Sequence, residues 1–415
     1  MTLVFGVLLL VAVLVSGWAH RTVLSMAVVF LVAGILLGPG VANVVHVSAD
    51  TSWVAPTMRV ALFAVLFTDG QRVSLRQLSR AWRLPSRALL LGLPVTLAIS
   101  TVFAMVLLHL SLPEALLVSA VLAPTDPVFA SAIVGRQEIP PRIRGMLNVE
   151  SGFNDGLALP LVVILLAVVG GTPIDPLMLS LELVGGVVIG LVVPALVASL
   201  LRLRFISATP LYTSLMPVAV ALIIFGACQL TGANLYLAAF TGGITLASVA
   251  KEARDAFARY GEYFSELVKL FAIFLFGALI HPSLFVEVPP AGYLFAVLLL
   301  LVARPAAVEL ALVGSKLPWA ERLTAAWFGP KGFASVLYGF LVLHAGGQHS
   351  TQLVQVIVLA IALSIIAHSS TDVPIAAAFA RHQEKSESAV PGNKDHRSPD
   401  TSDDRSVGTR STQGG

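Results

Sequence analysis

Runs of Leu, Val, Ala, Ile and Phe, punctuated by Gly, Pro and small polar clusters, dominate the chain up to about residue 375. Thirteen apolar segments are legible, at approximately 3–18, 23–40, 56–70, 87–108, 115–134, 145–170, 177–201, 211–230, 233–250, 264–280, 292–314, 322–345 and 352–370. Most are long enough for a helix to cross roughly 30 Å of hydrocarbon. The pattern predicts an all-α polytopic membrane protein with about 13 transmembrane helices over residues 1–375. The first segment has no basic stretch before it, and His20 and Arg21 follow it, so it is read as a span and not as a cleaved signal. Residues 381–415 are polar, mixed in charge and without apolar periodicity, which predicts a disordered tail.

Charge supports the count and sets an orientation. Of 26 basic residues, 16 fall in alternate loops: Arg21, the Arg72–Arg87 loop, the Arg136–Arg144 loop, Arg202 and Arg204, Lys251–Arg259, and Lys316 with Arg322. The intervening loops (41–55, 109–114, 171–176, 231–232, 281–291 and 346–351) hold none. Basic loops stay cytoplasmic, so the expected topology in the cell membrane is N-terminus outside and C-terminus inside.

Composition narrows the class further. The 415 residues are 57% apolar and only 12% charged, with a mean hydropathy of +0.88. A soluble enzyme, a disordered chain and a fibrous protein are excluded. One cysteine, Cys228, leaves no disulfide scaffold or cysteine metal cluster. The net charge of +3 comes from loop Arg and Lys, which topology explains without a nucleic-acid partner. Nine histidines (20, 46, 109, 281, 344, 349, 368, 382 and 396) form no metal-ligand pattern and are expected at interfaces or in the tail. No cofactor motif is present.

The interruptions carry the chemistry. The fifth span breaks at Pro124 and Pro127, and the twelfth at Gly329, Pro330 and Gly332. A proline lacks an N–H and crowds the carbonyl four residues back, so the carbonyls of Ala120, Ala123 and Ala326 are expected to be freed. The two broken spans are seven apart, and an odd offset makes two repeats antiparallel. Paired broken helices in two inverted halves point to a transporter's binding site. Thr125 and Asp126 lie between the fifth-span prolines and supply hard oxygen ligands for a small cation. A kink capped by Asp126 is the structural alternative.

In the sixth span, NVESGFNDG places Ser151, Asn154 and Asp155 on one helical face. A charge at the bilayer centre costs about 2.5–3.5 kcal/mol even on the mild insertion scale. Asp155, if buried, therefore gains from holding either a proton or a cation. A buried polar network without transport is the other reading of these residues. Arg304 is the natural partner of Glu150, a pairing read as structural. Lys331 offsets the negative end of a half-helix at the twelfth-span break. Arg59 and Lys269 lie near span ends and are expected to snorkel.

LVAGILLGPG, LFTDG followed by an Arg-rich loop, APTDPV, ESGFNDG, VARP and FGPKG together resemble the NhaP-type sodium/proton antiporters of the monovalent cation:proton antiporter superfamily. The resemblance covers about residues 1–375. It implies a 13-helix fold of two inverted six-helix repeats, with discontinuous fifth and twelfth spans crossing in a core domain, and a separate dimerisation domain in a homodimer. It further implies that Asp155 exchanges cation and proton, that Thr125, Ser151 and Asp126 share the ion site with Asn154 beside it, and that Glu150 and Arg304 are a structural pair. Asn154 where electrogenic relatives carry Asp resembles the electroneutral branch. Two positions depart from the family: Lys331, where Arg is common, and Thr68–Asp69, where relatives often carry Glu.

The function expected is exchange of a monovalent cation (sodium first, potassium or lithium otherwise) for a proton by alternating access. A cation channel or potassium-efflux path is the alternative, although no TVGYG-like filter occurs. An intramembrane aspartyl protease would need Asp126 and Asp155 to share a proton, yet neither YD nor GxGD is present.

Overall fold

The computed structural model describes residues 1–19, 25–48, 51–72, 83–125, 140–171, 175–201, 203, 209–345 and 350–388. Among them there are helices and connections and no strand. The helices are α1 (Thr2–Ala19), α2 (Met26–Leu37), α3 (Val54–Arg72), α4 (Arg83–Arg87), α5 (Leu93–Leu108), α6 (Leu112–Leu122), α7 (Pro141–Val169), α8 (Pro176–Leu200) and α9 (Pro210–Thr231). They continue as α10 (Leu235–Val249), α11 (Lys251–Leu279), α12 (Ser283–Glu287), α13 (Pro290–Leu298), α14 (Arg304–Ala311), α15 (Trp319–Trp327), α16 (Phe333–Ala345) and α17 (Ser350–Ser388). Among the described residues, six stretches are long and apolar enough to cross a membrane by length and composition, Pro141–Val169 and Pro176–Leu200 being two of them.

Two helices outrun their apolar windows. α11 begins at Lys251, well before the apolar run at 264, because its amphipathic first half buries Ala253 and Gly261 and turns charge outward. α17 continues to Ser388, past the 381 boundary that composition suggested; residues 389–415 lie outside the described residues.

The helices pack as two groups. One contains α1–α3 and α8–α11; the other contains α5–α7 and α13–α17. Within the first group, glycines let two helix pairs touch backbone to backbone. A Cβ on Gly34 of α2 would lie 2.3 Å from the Phe274 carbonyl of α11, and one on Gly243 of α10 would lie 2.2 Å from the Phe67 carbonyl of α3. In the thirteen-segment numbering these pairs are second with tenth and third with ninth. An offset of seven exchanges one pair for the other, as an inverted repeat requires.

The second group repeats the relation. Pro94 and Pro305 sit at the second position of α5 and α14, where neither can donate a backbone hydrogen bond. The preceding turns widen to π-helix over Ala88–Gly92 and Leu299–Ala303, with Leu93 N–H bonding to the Ala88 carbonyl and Arg304 N–H to the Leu299 carbonyl. Each π-turn packs against the helix that follows the other: the first on α14, the second on α5.

Candidate functional site

The site lies where the second group meets α3 and α10. Prolines fix its two breaks. α6 starts at a capping box in which Ser111 and Glu114 satisfy each other's turn, and it ends at Leu122 before Pro124. The Ala120 carbonyl, expected to be free, instead accepts the Ala123 N–H at 3.4 Å, because the chain tightens by one residue as the helix ends. Thr125 follows and is 2% exposed. Asp126 and Pro127 lie outside the described residues.

On α7, Ser151, Asn154 and Asp155 share a face directed at this break, and all three are buried. Asn154 Nδ2 donates to Thr125 Oγ1 at 2.7 Å, and the Thr125 and Ser151 hydroxyls are 3.2 Å apart. Asn154 Oδ1 has no hydrogen-bond partner among the described residues. Asp155 is 6% exposed, and its backbone carbonyl accepts the Tyr338 hydroxyl of α16 at 2.8 Å. The next turn is covered by Phe240 of α10, whose ring lies where a Cβ on Gly156 would fall. Oxygens from α7 and from the segment that follows α6 thus meet next to a buried carboxylate on the same face of α7, a donor set suited to a hard monovalent cation.

One turn earlier on α7, Glu150 meets Arg304 at 2.7 Å, with both side chains buried. Arg304 also donates to the Phe328 carbonyl at 2.9 Å, where α15 stops. Its side chain passes over Gly329, where a Cβ would come within 1.6 Å of Arg304 Nε. Only glycine fits at that position. The pair therefore ties the sixth and eleventh segments to the break in the twelfth.

That break spans residues 328–332. Lys331 is fully buried, and its ammonium has no hydrogen-bond partner among the described residues. Its backbone N–H donates to Ser364 Oγ of α17 at 2.7 Å. His368 Nε2 lies 3.0 Å from the Trp327 carbonyl, to which its Nε2–H tautomer donates, and the indole stacks on the imidazole with centroids 4.9 Å apart.

Two charges sit where the sequence did not place them. Lys269 does not snorkel: it is 2% exposed and meets Asp69 of α3 at 3.4 Å, because α11 runs beside α3. Asp69 also lies 3.5 Å from Arg72. His368 is not interfacial but 1% exposed. The available signal was the polar spacing Ser364, His368, Thr371 on an otherwise apolar α17. Tyr338 was also missed; nothing local marks it. Arg59 is exposed, and Glu309 pairs with Arg322 at a half-exposed position.

A helical fold with six long apolar stretches among the described residues, helix pairs that exchange under an inverted repeat and a buried oxygen cluster defines the class as a polytopic membrane protein. Residues 7–378 match the family described as sodium/hydrogen exchanger, transmembrane, and the chain belongs to that family. Among curated relatives, the K(+)/H(+) antiporter NhaP2 of Shewanella sp. (strain MR-4) is 26% identical over 354 residues, 83% of this chain and 61% of the relative. The K(+)/H(+) antiporter NhaP of Alkalimonas amylolytica is 25% identical over 352 residues, covering 83% and 60%. The chain thus spans about 60% of the length of these relatives. The solved sodium proton antiporter MjNhaP1 from Methanocaldococcus jannaschii at pH 8 superposes with a TM-score of 0.74 at 22% identity, covering 90% of this chain and 97% of that one; it shares the fold.

Proposed function

We propose that the chain is a secondary transporter that exchanges a monovalent cation for a proton at Asp155, by alternating access. The observation that carries the reading is the cluster of Thr125, Ser151 and Asn154 oxygens beside a buried carboxylate at a helix break. Hydroxyl and amide oxygens replace part of a cation's hydration shell, and the carboxylate supplies the charge. A proton on Asp155 removes that charge, so cation and proton compete for one site. Asp126 completes the ion site in this reading, and Lys331 balances the twelfth-span half-helix. One titrating carboxylate exchanging one proton for one cation makes the cycle electroneutral. The second helix group moves against the first, which forms a homodimer's contact. In this reading thirteen spans run with the N-terminus outside and the C-terminus inside the cell membrane, as the alternation of basic loops favours.

Sodium is the first candidate from the sequence resemblance. Potassium is the second reading, favoured by the names of the curated relatives above. The test is a pH-dye assay in proteoliposomes with Na⁺, K⁺ and Li⁺ added separately. Cation-driven proton movement by the wild-type chain is expected. Competition also requires the apparent cation KM to rise as pH falls, approaching about tenfold per unit once the carboxylate is mostly protonated. A KM that ignores pH contradicts the shared site, and flux driven by membrane potential without counter-moving protons makes the protein a channel.

A further inference from the structure

Breaking a helix inside a membrane frees carbonyls at one half-helix's end and N–H groups at the next one's start, and each left unmet costs several kcal/mol by the general estimate for such groups. At the twelfth-span break, three of these groups are met by side chains. Arg304 takes the Phe328 carbonyl. The other two belong to α17: His368, in its Nε2–H tautomer, donates to the Trp327 carbonyl, and Ser364 accepts the Lys331 N–H. Ser364 and His368 are one helical turn apart and touch, with Nδ1 3.2 Å from the Ser364 hydroxyl and 2.8 Å from its carbonyl. Thr371, one turn further, accepts the Trp327 indole N–H at 2.9 Å. A polar stripe on α17 thus grips both sides of the break, and none of its members touches the oxygen cluster.

The grip reaches Asp155 through α16. α16 begins at Phe333, two residues past Lys331, and its Tyr338 hydroxyl holds the Asp155 carbonyl. We propose that Ser364 and His368 are positioning residues for cation exchange: by fixing the start of α16 they set where Tyr338 holds the Asp155 turn, and hence how tightly the site takes its cation. This rests on the exchange reading above.

The experiment compares His368→Phe, which keeps an aromatic ring against Trp327 but no donor, with His368→Gln, which restores a donor, and Ser364→Ala, which removes a single oxygen. Cation-driven proton exchange is measured in proteoliposomes across cation concentration, per amount of monodisperse protein. His368→Phe and Ser364→Ala are expected to raise the apparent cation KM roughly fivefold, the factor a single lost hydrogen bond is worth, while His368→Gln returns to within about twofold of wild type. A purely structural role lowers the maximal rate with the folded fraction and leaves KM alone; an unchanged KM in Ser364→Ala overturns the proposal even if His368→Phe does not fold. Wild-type vesicles without exchange would instead sink the transport reading. In that event, amide hydrogen exchange over residues 324–336 decides the grip by itself: faster exchange in Ser364→Ala upholds it, and unchanged exchange overturns it.

Discussion

Two adjacent turns of α7 place buried carboxylates in opposite circumstances. Glu150 is closed by a fixed cation: Arg304 reaches it from another helix, passes over Gly329, and spends a second N–H on the Phe328 carbonyl. One turn on, Asp155 is buried on the face of α7 that brings Ser151 and Asn154 to the Thr125 hydroxyl. A neutral oxygen donor set leaves room for a mobile positive charge, whereas a guanidinium fork does not. A third position completes the series. Near the start of α7, Arg142 pairs with Glu321 in two parallel hydrogen bonds of 2.6 and 2.5 Å, but half of the Arg142 side chain is exposed. The same helix therefore carries a half-exposed pair, a buried pair and, in the reading proposed above, an exchangeable carboxylate, distinguished by what each can reach.

The sharpest break of this comparison is Asp155→Asn. The amide keeps the volume and loses the titrating charge, so cation-driven proton movement in proteoliposomes is expected to disappear while the protein stays monodisperse with an unchanged melting temperature. Normal exchange by this variant would move the function off this turn. The opposite pattern is expected for Arg304→Ala. It leaves Glu150 buried without its cation, and stripping one partner from such a pair costs about 3–5 kcal/mol, read as a large drop in thermal stability and folded yield. Replacing both partners together, Glu150→Leu with Arg304→Met, is expected to cost less than Arg304→Ala alone. A double variant that is worse than the single one would show that the pair holds more than its own charges.

Much of this contrast was legible before any coordinates. The prolines of the fifth and twelfth segments marked the breaks, and the i, i+3, i+4 spacing of Ser151, Asn154 and Asp155 marked the shared face, because both signals are local to one helix. The Glu150–Arg304 pairing was reached by accounting for charges that could not lie in lipid. What stayed hidden depends on tertiary contact. Lys269 read as an interfacial lysine because nothing within its own helix says that α3 passes beside it, 200 residues earlier, with Asp69. His368 read as one more interfacial histidine for the same reason. The π-turns at Ala88–Gly92 and Leu299–Ala303 precede Pro94 and Pro305, and their mutual packing shows only when both halves are seen together.

Within the oxygen cluster the effects are expected to be smaller and confined to affinity. Thr125→Val, Ser151→Ala and Asn154→Ala each remove one polar partner, worth about 1–3 kcal/mol when buried, or roughly 5- to 150-fold in apparent cation KM. The order among them tests the geometry. Asn154 both donates to Thr125 and holds an oxygen without a partner among the described residues, so its loss should exceed that of Ser151. Equal small effects on KM for all three, below about twofold, would mean that the cation sits elsewhere.

The mildest outcome belongs to the exposed end of the series. Arg142→Gln removes a charge whose geometry is as good as that of Arg304, with two short parallel bonds to Glu321. Its head is half in solvent, so water and salt take over much of what the guanidinium gave. Pairs with both members exposed are worth about 0.2–1 kcal/mol, less as ionic strength rises, and stripping one partner from a buried pair costs about 3–5 kcal/mol. With one member half-exposed and the other buried, the expected melting shift is below that of Arg304→Ala and smaller at high salt than at low salt, with exchange unchanged. Glu321, which is 6% exposed, complicates the comparison usefully: Glu321→Gln should cost less than Arg142→Gln, because the latter strands a buried carboxylate while the former leaves only a solvated arginine. Should the two cost the same, burial of the partner left behind would not be what separates this pair from the one at Glu150, and the distinction among the three turns of α7 would have to rest on the arginines alone.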